Sequence, residues 1–245
     1  MKRIVEPELM DAAEQAKAYA EADFSSAHET YPKLFAQRFP RRPKRGLALD
    51  LGCGPCDVTI RFAKANPGYT FHAVDGSAAM LRQAKRAIQR AEQTPHPSLS
   101  PSDGERVSAG RVRGNGFSQR IRLIEGFIPG APIPKRSYDV ILSSSFLHHL
   151  HEPQVLWQTV RERSRRGTIV FVPDLRRPAT KAKVREFVKK YCGSEPEVLR
   201  RDFYNSLLAA FTPAEVRRQL KAAGLRGLKV EIISDRHLLV YGRID

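Results

Sequence analysis

Cysteine, tryptophan and long apolar runs are scarce in this chain. Three cysteines and one tryptophan occur in 245 residues, too few thiols for a disulfide framework. No apolar run approaches the roughly 18 residues that span a bilayer, so no membrane span is expected. Met1 to Met10 carries two basic groups and then turns acidic without an apolar h-region, which predicts no secretory signal and a cytoplasmic location. Acidic side chains are also short in supply: 26 against 42 Lys and Arg, for a net charge of +16 and a pI near 10.2. Such a surplus invites nucleic acid as a partner. The basic residues, however, fall in scattered groups such as Arg41 to Arg45, Arg161 to Arg166 and Arg217-Arg218. They form no stripe with interleaved aromatics, and no RNA-binding module signature accompanies them. A solvated basic surface is the favoured reading. A hydrophobic content of 41% suffices for one well-buried α/β domain.

Gly46 to Val58 organises the rest. Leu47 to Leu51 is a short apolar run suited to a strand buried on both faces of a parallel sheet. Gly52 and Gly54 then allow a tight turn that a ligand can approach closely, and Asp57 is placed to cap a helix starting near Val58. Tyr69 to Val74 reads as a second strand ending in Asp75, where an acidic residue can accept hydrogen bonds from ribose hydroxyls. A dinucleotide site wants a third glycine three residues after the second, and Asp57 stands there instead. Asp50 and Asp75 together would repel a pyrophosphate but suit a ligand carrying a sulfonium and an amino group.

Leu49-Asp50-Leu51-Gly52-Cys53-Gly54 resembles motif I of the class I S-adenosylmethionine (SAM)-dependent methyltransferases. Val74-Asp75-Gly76-Ser77 with Met80-Leu81 resembles their second motif. Tyr138 to Ser143 followed by Leu147-His148-His149-Leu150 resembles the strand-four motif of the small-molecule branch, which includes the ubiquinone and menaquinone methyltransferases. One departure is Cys56, where many relatives carry a third glycine. The resemblance implies an α/β, Rossmann-like, seven-stranded and mostly parallel sheet, its last strand antiparallel, with helices on both faces. It also implies an N-terminal helical lid over residues 1–45, the methyltransferase domain filling 46–245. SAM is the implied cofactor. Its contacts are expected from Asp50, Gly52, Cys53, Gly54, Asp75, Gly76, Ser77, Met80, Gly126, Phe127 and Ser143.

Around these motifs the coarse order is legible. Helices are expected over Glu8 to Ala22 and Ala27 to Phe39, and the lid that the resemblance implies makes Tyr19, Asp23 and Tyr31 pocket candidates. Ser77 is read as capping a helix through Met80, Leu81, Ala84 and Ile88. Thr94 to Phe117 is rich in Pro, Ser and Gly without periodicity and is read as a flexible, dispensable insertion containing His96. Strands follow at Arg120 to Glu125, Ser137 to Ser143 and Thr168 to Val172. Next come helices over Glu152 to Arg163, Lys181 to Tyr191 and Asp202 to Phe211. Thr212-Pro213-Ala214-Glu215 reads as a capping box with Pro at N1. Leu228 to Ile233 and His237 to Tyr241 form a terminal hairpin.

Ligands of open α/β sheets sit beyond the carboxyl ends of the strands, which directs Ser143, Ser144, His148, His149 and Asp174 to the functional rim. Methyl transfer is an in-line displacement, so positioning dominates. Where the acceptor is a hydroxyl or thiol, His148 or His149 is the candidate base, His151 being a cap or surface residue. Tyr19, Asp174, Arg176 and Tyr204 are candidate substrate contacts. Cys53-Gly54-Pro55-Cys56 matches a dithiol redox tetrapeptide, but Gly52 precedes it where an aromatic residue is wanted. A zinc site on Cys53, Cys56 and Cys192 lacks a fourth ligand, so no metal is expected. A small-molecule methyltransferase is the leading reading. An RNA methyltransferase and a non-catalytic SAM- or nucleic-acid-binding module stand behind it, and a dehydrogenase last.

Overall fold

The run that opens at Gly46 becomes an interior strand, third from one edge, of a seven-stranded sheet. A computed structural model describes residues 1–6, 13–22, 25–93 and 116–245. Its strands are β1 (Gly46–Leu51), β2 (Tyr69–Asp75), β3 (Ile121–Glu125), β4 (Val140–Leu142), β5 (Ile169–Leu175), β6 (Lys229–Ile232) and β7 (His237–Arg243). The described helices are α1 (Ala13–Glu21), α2 (Ser25–His28), α3 (Thr30–Arg38), α4 (Asp57–Ala65), α5 (Ala78–Gln93), α6 (Phe117–Arg120), α7 (Gln154–Arg163), α8 (Lys181–Cys192), α9 (Glu197–Ala209) and α10 (Pro213–Ala222). Strand order is β3-β2-β1-β4-β5-β7-β6, with β7 antiparallel to both its neighbours and every other pair parallel. This is the expected Rossmann-like sheet. The order reverses between β1 and β4, so a crevice opens beyond their carboxyl ends.

Period-two alternation divides the core into two layers. Ala48, Ile169, Phe171 and Leu239 face one side and pack with Phe35 and Phe62 of α3 and α4. Leu49, Leu51, Val170, Val172 and Val240 face the other and pack with Trp157 of α7 and Leu220 of α10. The fully buried Trp157 donates its indole N–H to Gln219 Oε1 at 3.0 Å. Burying a side chain of this class contributes about 2 kcal/mol or more. The capping box at Thr212 and Glu215 is formed as the sequence predicts, with Pro213 first in α10.

Several local expectations differ. The single helix read over Ala27 to Phe39 is two, α2 and α3, separated at Glu29. Pro32 has no N–H to return to the His28 carbonyl, so the ladder cannot run through. Strand β5 continues to Leu175, past the expected end at Val172. The Pro173 carbonyl accepts from Ser145 N–H, on the β4 side, so its missing N–H faces that side too and the β7 ladder does not need it. Asp57 does not cap α4: Cys56 is the N-cap residue, with no side-chain cap, and Asp57 opens the helix. Ser77 does cap α5, accepting from Met80 N–H at 3.1 Å. Residues 94–115 of the expected insertion, with His96, lie outside the described residues, as do Asp23 and the segment 7–12 of the first expected helix. Phe117 is buried and begins α6, so it belongs to the core. No helix among the described residues is long and apolar enough to cross a membrane.

Candidate active site

A cleft of about 420 Å³ lies beyond the carboxyl ends of β1, β2 and β4, bounded by Asp50, Gly52, Cys53, Gly54, Asp75, Gly76, Ser77, Met80 and Phe127. The glycine turn is shaped by steric demand. Gly52 has φ +70°, and a Cβ there would lie 2.2 Å from the Phe146 ring. At Gly54 (φ +51°) a Cβ would meet nothing within 4 Å, because the residue faces the open cleft. Cys56, standing where the resemblance places a third glycine, also has a left-handed backbone, φ +63°. It is fully buried in the core. Asp75 fastens the turn: Oδ2 accepts from Gly54 N–H and Oδ1 from Ser77 N–H, both at 2.8 Å.

Asp50 is 2% exposed, and one oxygen accepts from Thr59 Oγ1 at 2.6 Å. The other, Oδ1, is buried without a partner among the described residues. Burial pushes its pKa up to about 6, against the opposing Thr59 hydrogen bond and helped by the nearby Asp75 charge. Burial likewise raises the Asp75 pKa, the two backbone N–H groups partly offsetting it. The wall opposite comes from α1 and α2. Tyr19 lines the cleft, and His28 Nδ1 lies 2.8 Å from Asp57 Oδ2, tying α2 to α4.

A second cleft, about 140 Å³, adjoins the first and shares Tyr19, Ala22, His28, Ser145 and His149 with it. His148 and His149 sit on a 3-10 turn, Leu147–His149, that follows β4. Asp174, in β5, holds this turn twice, accepting from Leu147 N–H at 2.8 Å and pairing with His148 Nδ1 at 2.6 Å. The two imidazole rings stand 4.1 Å apart. Burial disfavours the charged form of His148, yet the Asp174 carboxylate outweighs it and the pKa is raised. For His149, burial, with the His148 charge, lowers the pKa well below the ordinary value.

The residue beneath both histidines was absent from the sequence reading. Glu6 Oε1 lies 3.2 Å from His149 Nδ1 and 3.8 Å from His148 Nε2. Neither Glu6 Oε1 nor His149 Nδ1 makes an aligned hydrogen bond within the described residues. Arg3 delivers the N-terminal segment to this place. Its Nε donates to the Ala209 carbonyl at 2.5 Å, its NH2 nitrogen donates to those of His148 and Leu150 at 2.8 and 3.0 Å, and its guanidinium lies 4.0 Å over the Phe211 ring. His151, read as a cap or surface residue, contacts the Glu6 carbonyl through Nε2 at 2.6 Å. No local spacing signals these contacts.

The other sequence candidates are placed elsewhere. Ser143 Oγ donates to the Leu51 carbonyl at 2.8 Å, pinning β4 to β1, while its neighbours Ser144 and Ser145 line the cleft. Gly126 packs on Ala131. Arg176 pairs in a backbone bridge with Phe211. Tyr204 packs with Phe203 against the α8–α9 cluster. Asp174 is 1% exposed inside β5 and faces His148, because the strand outruns its expected end.

Residues 49–170, which carry the glycine turn, Asp75 and the histidine turn, match the family model described as a methyltransferase domain. The chain belongs to the class I SAM-dependent methyltransferases. The fold is shared with solved structures of low identity. One is a SAM-dependent methyltransferase from Aquifex aeolicus (TM-score 0.62, 14% identity, 95% of this chain and 98% of that one). Another is a putative S-adenosyl-L-methionine-dependent methyltransferase from Methanococcus maripaludis (0.66, 17%, 99% and 98%). Human N-acetylserotonin methyltransferase, solved with SAM, aligns at 0.59 and 15%, covering 95% of this chain and 56% of that one. No curated protein matches the chain by sequence. For a class I methyltransferase the larger cleft has fitting chemistry: an orphaned buried carboxylate oxygen on Asp50 suits the ammonium of SAM.

Proposed function

We propose that this methyltransferase acts on a small-molecule acceptor held in the second cleft. The observation that carries the reading is the shared wall: Tyr19, His28, Ser145 and His149 border both clefts, so occupants of the two would meet there. A cleft of about 140 Å³ suits a small acceptor rather than a folded nucleic acid. When bound, SAM supplies a methyl group on a cationic sulfonium. Asp50 and Asp75 favour that charge, and Asp75 also accepts from the ribose hydroxyls. Gly52, Cys53, Gly54, Gly76, Ser77, Met80 and Phe127 form the rest of its enclosure. Tyr19 excludes water from above, and the His148–His149 turn receives the acceptor's reacting group, held in place by Asp174. Holding reactants in line is where such a site gains most of its rate. N-acetylserotonin methyltransferase, named for a small acceptor, is consistent with this choice.

Calorimetry with SAM and its demethylated product tests the first half. Asp75→Ala removes the ribose acceptor and the clamp on the turn, with an expected loss of about 2 kcal/mol, roughly thirtyfold in affinity. Turnover of labelled SAM against hydroxyl, thiol and amine compounds tests the second. Methylation of RNA, with binding that falls steeply in salt, would replace the small-molecule reading. SAM binding without turnover on any acceptor would favour a non-catalytic module.

A further inference from the structure

We propose that Glu6, His148 and His149 form a binding site for one divalent transition-metal ion, zinc-like in its preferences, whose open position faces the second cleft. The three donor atoms, Glu6 Oε1, His148 Nε2 and His149 Nδ1, all lie within 4.8 Å of one another. Donors about 2.0–2.1 Å from a tetrahedral ion stand about 3.3 Å apart. The separations from Glu6 Oε1, 3.2 Å to His149 and 3.8 Å to His148, bracket that value. The third separation, between the two histidine nitrogens, falls within the same 4.8 Å.

Two independent features point to a cation rather than to a hydrogen-bonded pair. Glu6 Oε1 and His149 Nδ1 are both buried and face each other without an aligned hydrogen bond, an expensive arrangement unless something else satisfies both. His148 offers Nε2 to the site while its Nδ1 is held by Asp174 Oδ1 at 2.6 Å. A carboxylate on the far nitrogen fixes the tautomer and orients the ring, as it does for metal-bound histidines generally. Two of the three Arg3 guanidinium nitrogens, Nε and NH2, are engaged elsewhere, with the Ala209, His148 and Leu150 carbonyls.

Two histidines and a glutamate leave one tetrahedral position free, the pattern of sites that bind an exchangeable ligand rather than of closed structural ones. His148 and His149 both line the second cleft, so an acceptor hydroxyl or thiol there can enter that position. On coordination it gives up its proton to solvent water, and the retained lone pair forms the new C–O or C–S bond as the sulfonium C–S bond breaks. This step rests on the small-molecule reading above; the metal site does not. The histidines then act as ligands, and no free imidazole base is required.

The test uses the full chain, stripped with chelator and titrated with Co²⁺ and Zn²⁺. Calorimetry is expected to show one equivalent per chain, and Co²⁺ to develop visible bands of low coordination number. Glu6→Ala and His149→Ala should each weaken binding at least tenfold, and Asp174→Asn by about 10–100-fold through the lost support of His148. His149→Gln keeps size and hydrogen bonding but ligates poorly, so it serves should the alanine variant unfold. No uptake by the wild-type chain, or uptake unchanged in these variants, overturns the proposal. SAM affinity, measured on the same stripped samples, separates the two readings. SAM bound without metal uptake sinks the metal site alone; metal uptake without SAM binding sinks the proposed function alone.

Discussion

Burial holds the Asp50 carboxyl up at about pH 6, whereas a cationic ligand beside it needs the charged form. Two consequences follow with opposite signs. A folded-state pKa above the unfolded one means the native chain holds the extra proton, so stability from this group is full below about pH 4. It declines as pH rises toward 6. SAM affinity should do the reverse, falling below pH 6 by up to tenfold per unit as Asp50 is neutralised. Asp50→Asn should bind SAM more weakly at pH 7.5 and flatten that slope; calorimetry from pH 5 to 8 reads both. Cys56 makes a second point at the same scale. Its left-handed backbone costs about 1–2 kcal/mol for any residue with a Cβ. Cys56→Gly and Cys56→Ala both lose the buried sulfur, but only the glycine escapes the strain. Offset by glycine's greater chain entropy, the Gly variant should still melt above the Ala variant, by about 0.5–1 kcal/mol in denaturant titration.

Among the elements, those that the sequence displays clearly are the ones built by local rules. Leu47 to Gly54, the Ser77 cap, the Thr212–Glu215 box and the terminal hairpin each carry their own signal in adjacent residues. Asp174 and Glu6 do not. Whether Asp174 lies in a strand or on a loop depends on β4 ending early, so that nothing on that side needs the N–H that Pro173 lacks, which is a property of the neighbour. Glu6 reaches the histidines because an extended segment without periodicity is pinned by Arg3 to carbonyls of α9 and the turn after β4. The Ile4 N–H adds a bond to the Leu208 carbonyl at 3.1 Å. Such a strap has no propensity to read; its place is set by distant acceptors. Arg3→Met keeps the apolar stack on Phe211 and removes the charged donors, for an expected loss of about 2–3 kcal/mol of stability. Urea unfolding with an unchanged m-value checks it, and a loss under 0.5 kcal/mol would mean that the strap does not secure the turn.

For the molecule as a whole, the surplus of basic side chains and the buried carboxylates near the strand ends are separate facts. The net charge of +16 is a sum over all residues, while Asp50, Asp75 and Asp174 lie near the carboxyl ends of β1, β2 and β5, and Glu6 is brought up to the histidines beside Asp174. Composition therefore argued for a polyanionic partner that the cleft chemistry does not ask for. The stretch 94–115 presents the same separation of bulk from site. Its two described flanks already meet: Glu92 Oε1 accepts from Ser118 N–H at 2.7 Å, and a Cβ on Gly116 would lie 2.6 Å from the same oxygen. Phe117, just beyond, is anchored in the core, so the end of α5 and the approach to β3 lie close together. Replacing residues 94–115 by a Gly/Ser link of about four residues shortens the closed loop roughly fivefold, worth about 1.4 kcal/mol in closure entropy. The shortened chain should accordingly unfold at higher urea and bind SAM with the same affinity. A folded deletion variant that has lost SAM would show instead that the segment belongs to the cofactor cleft.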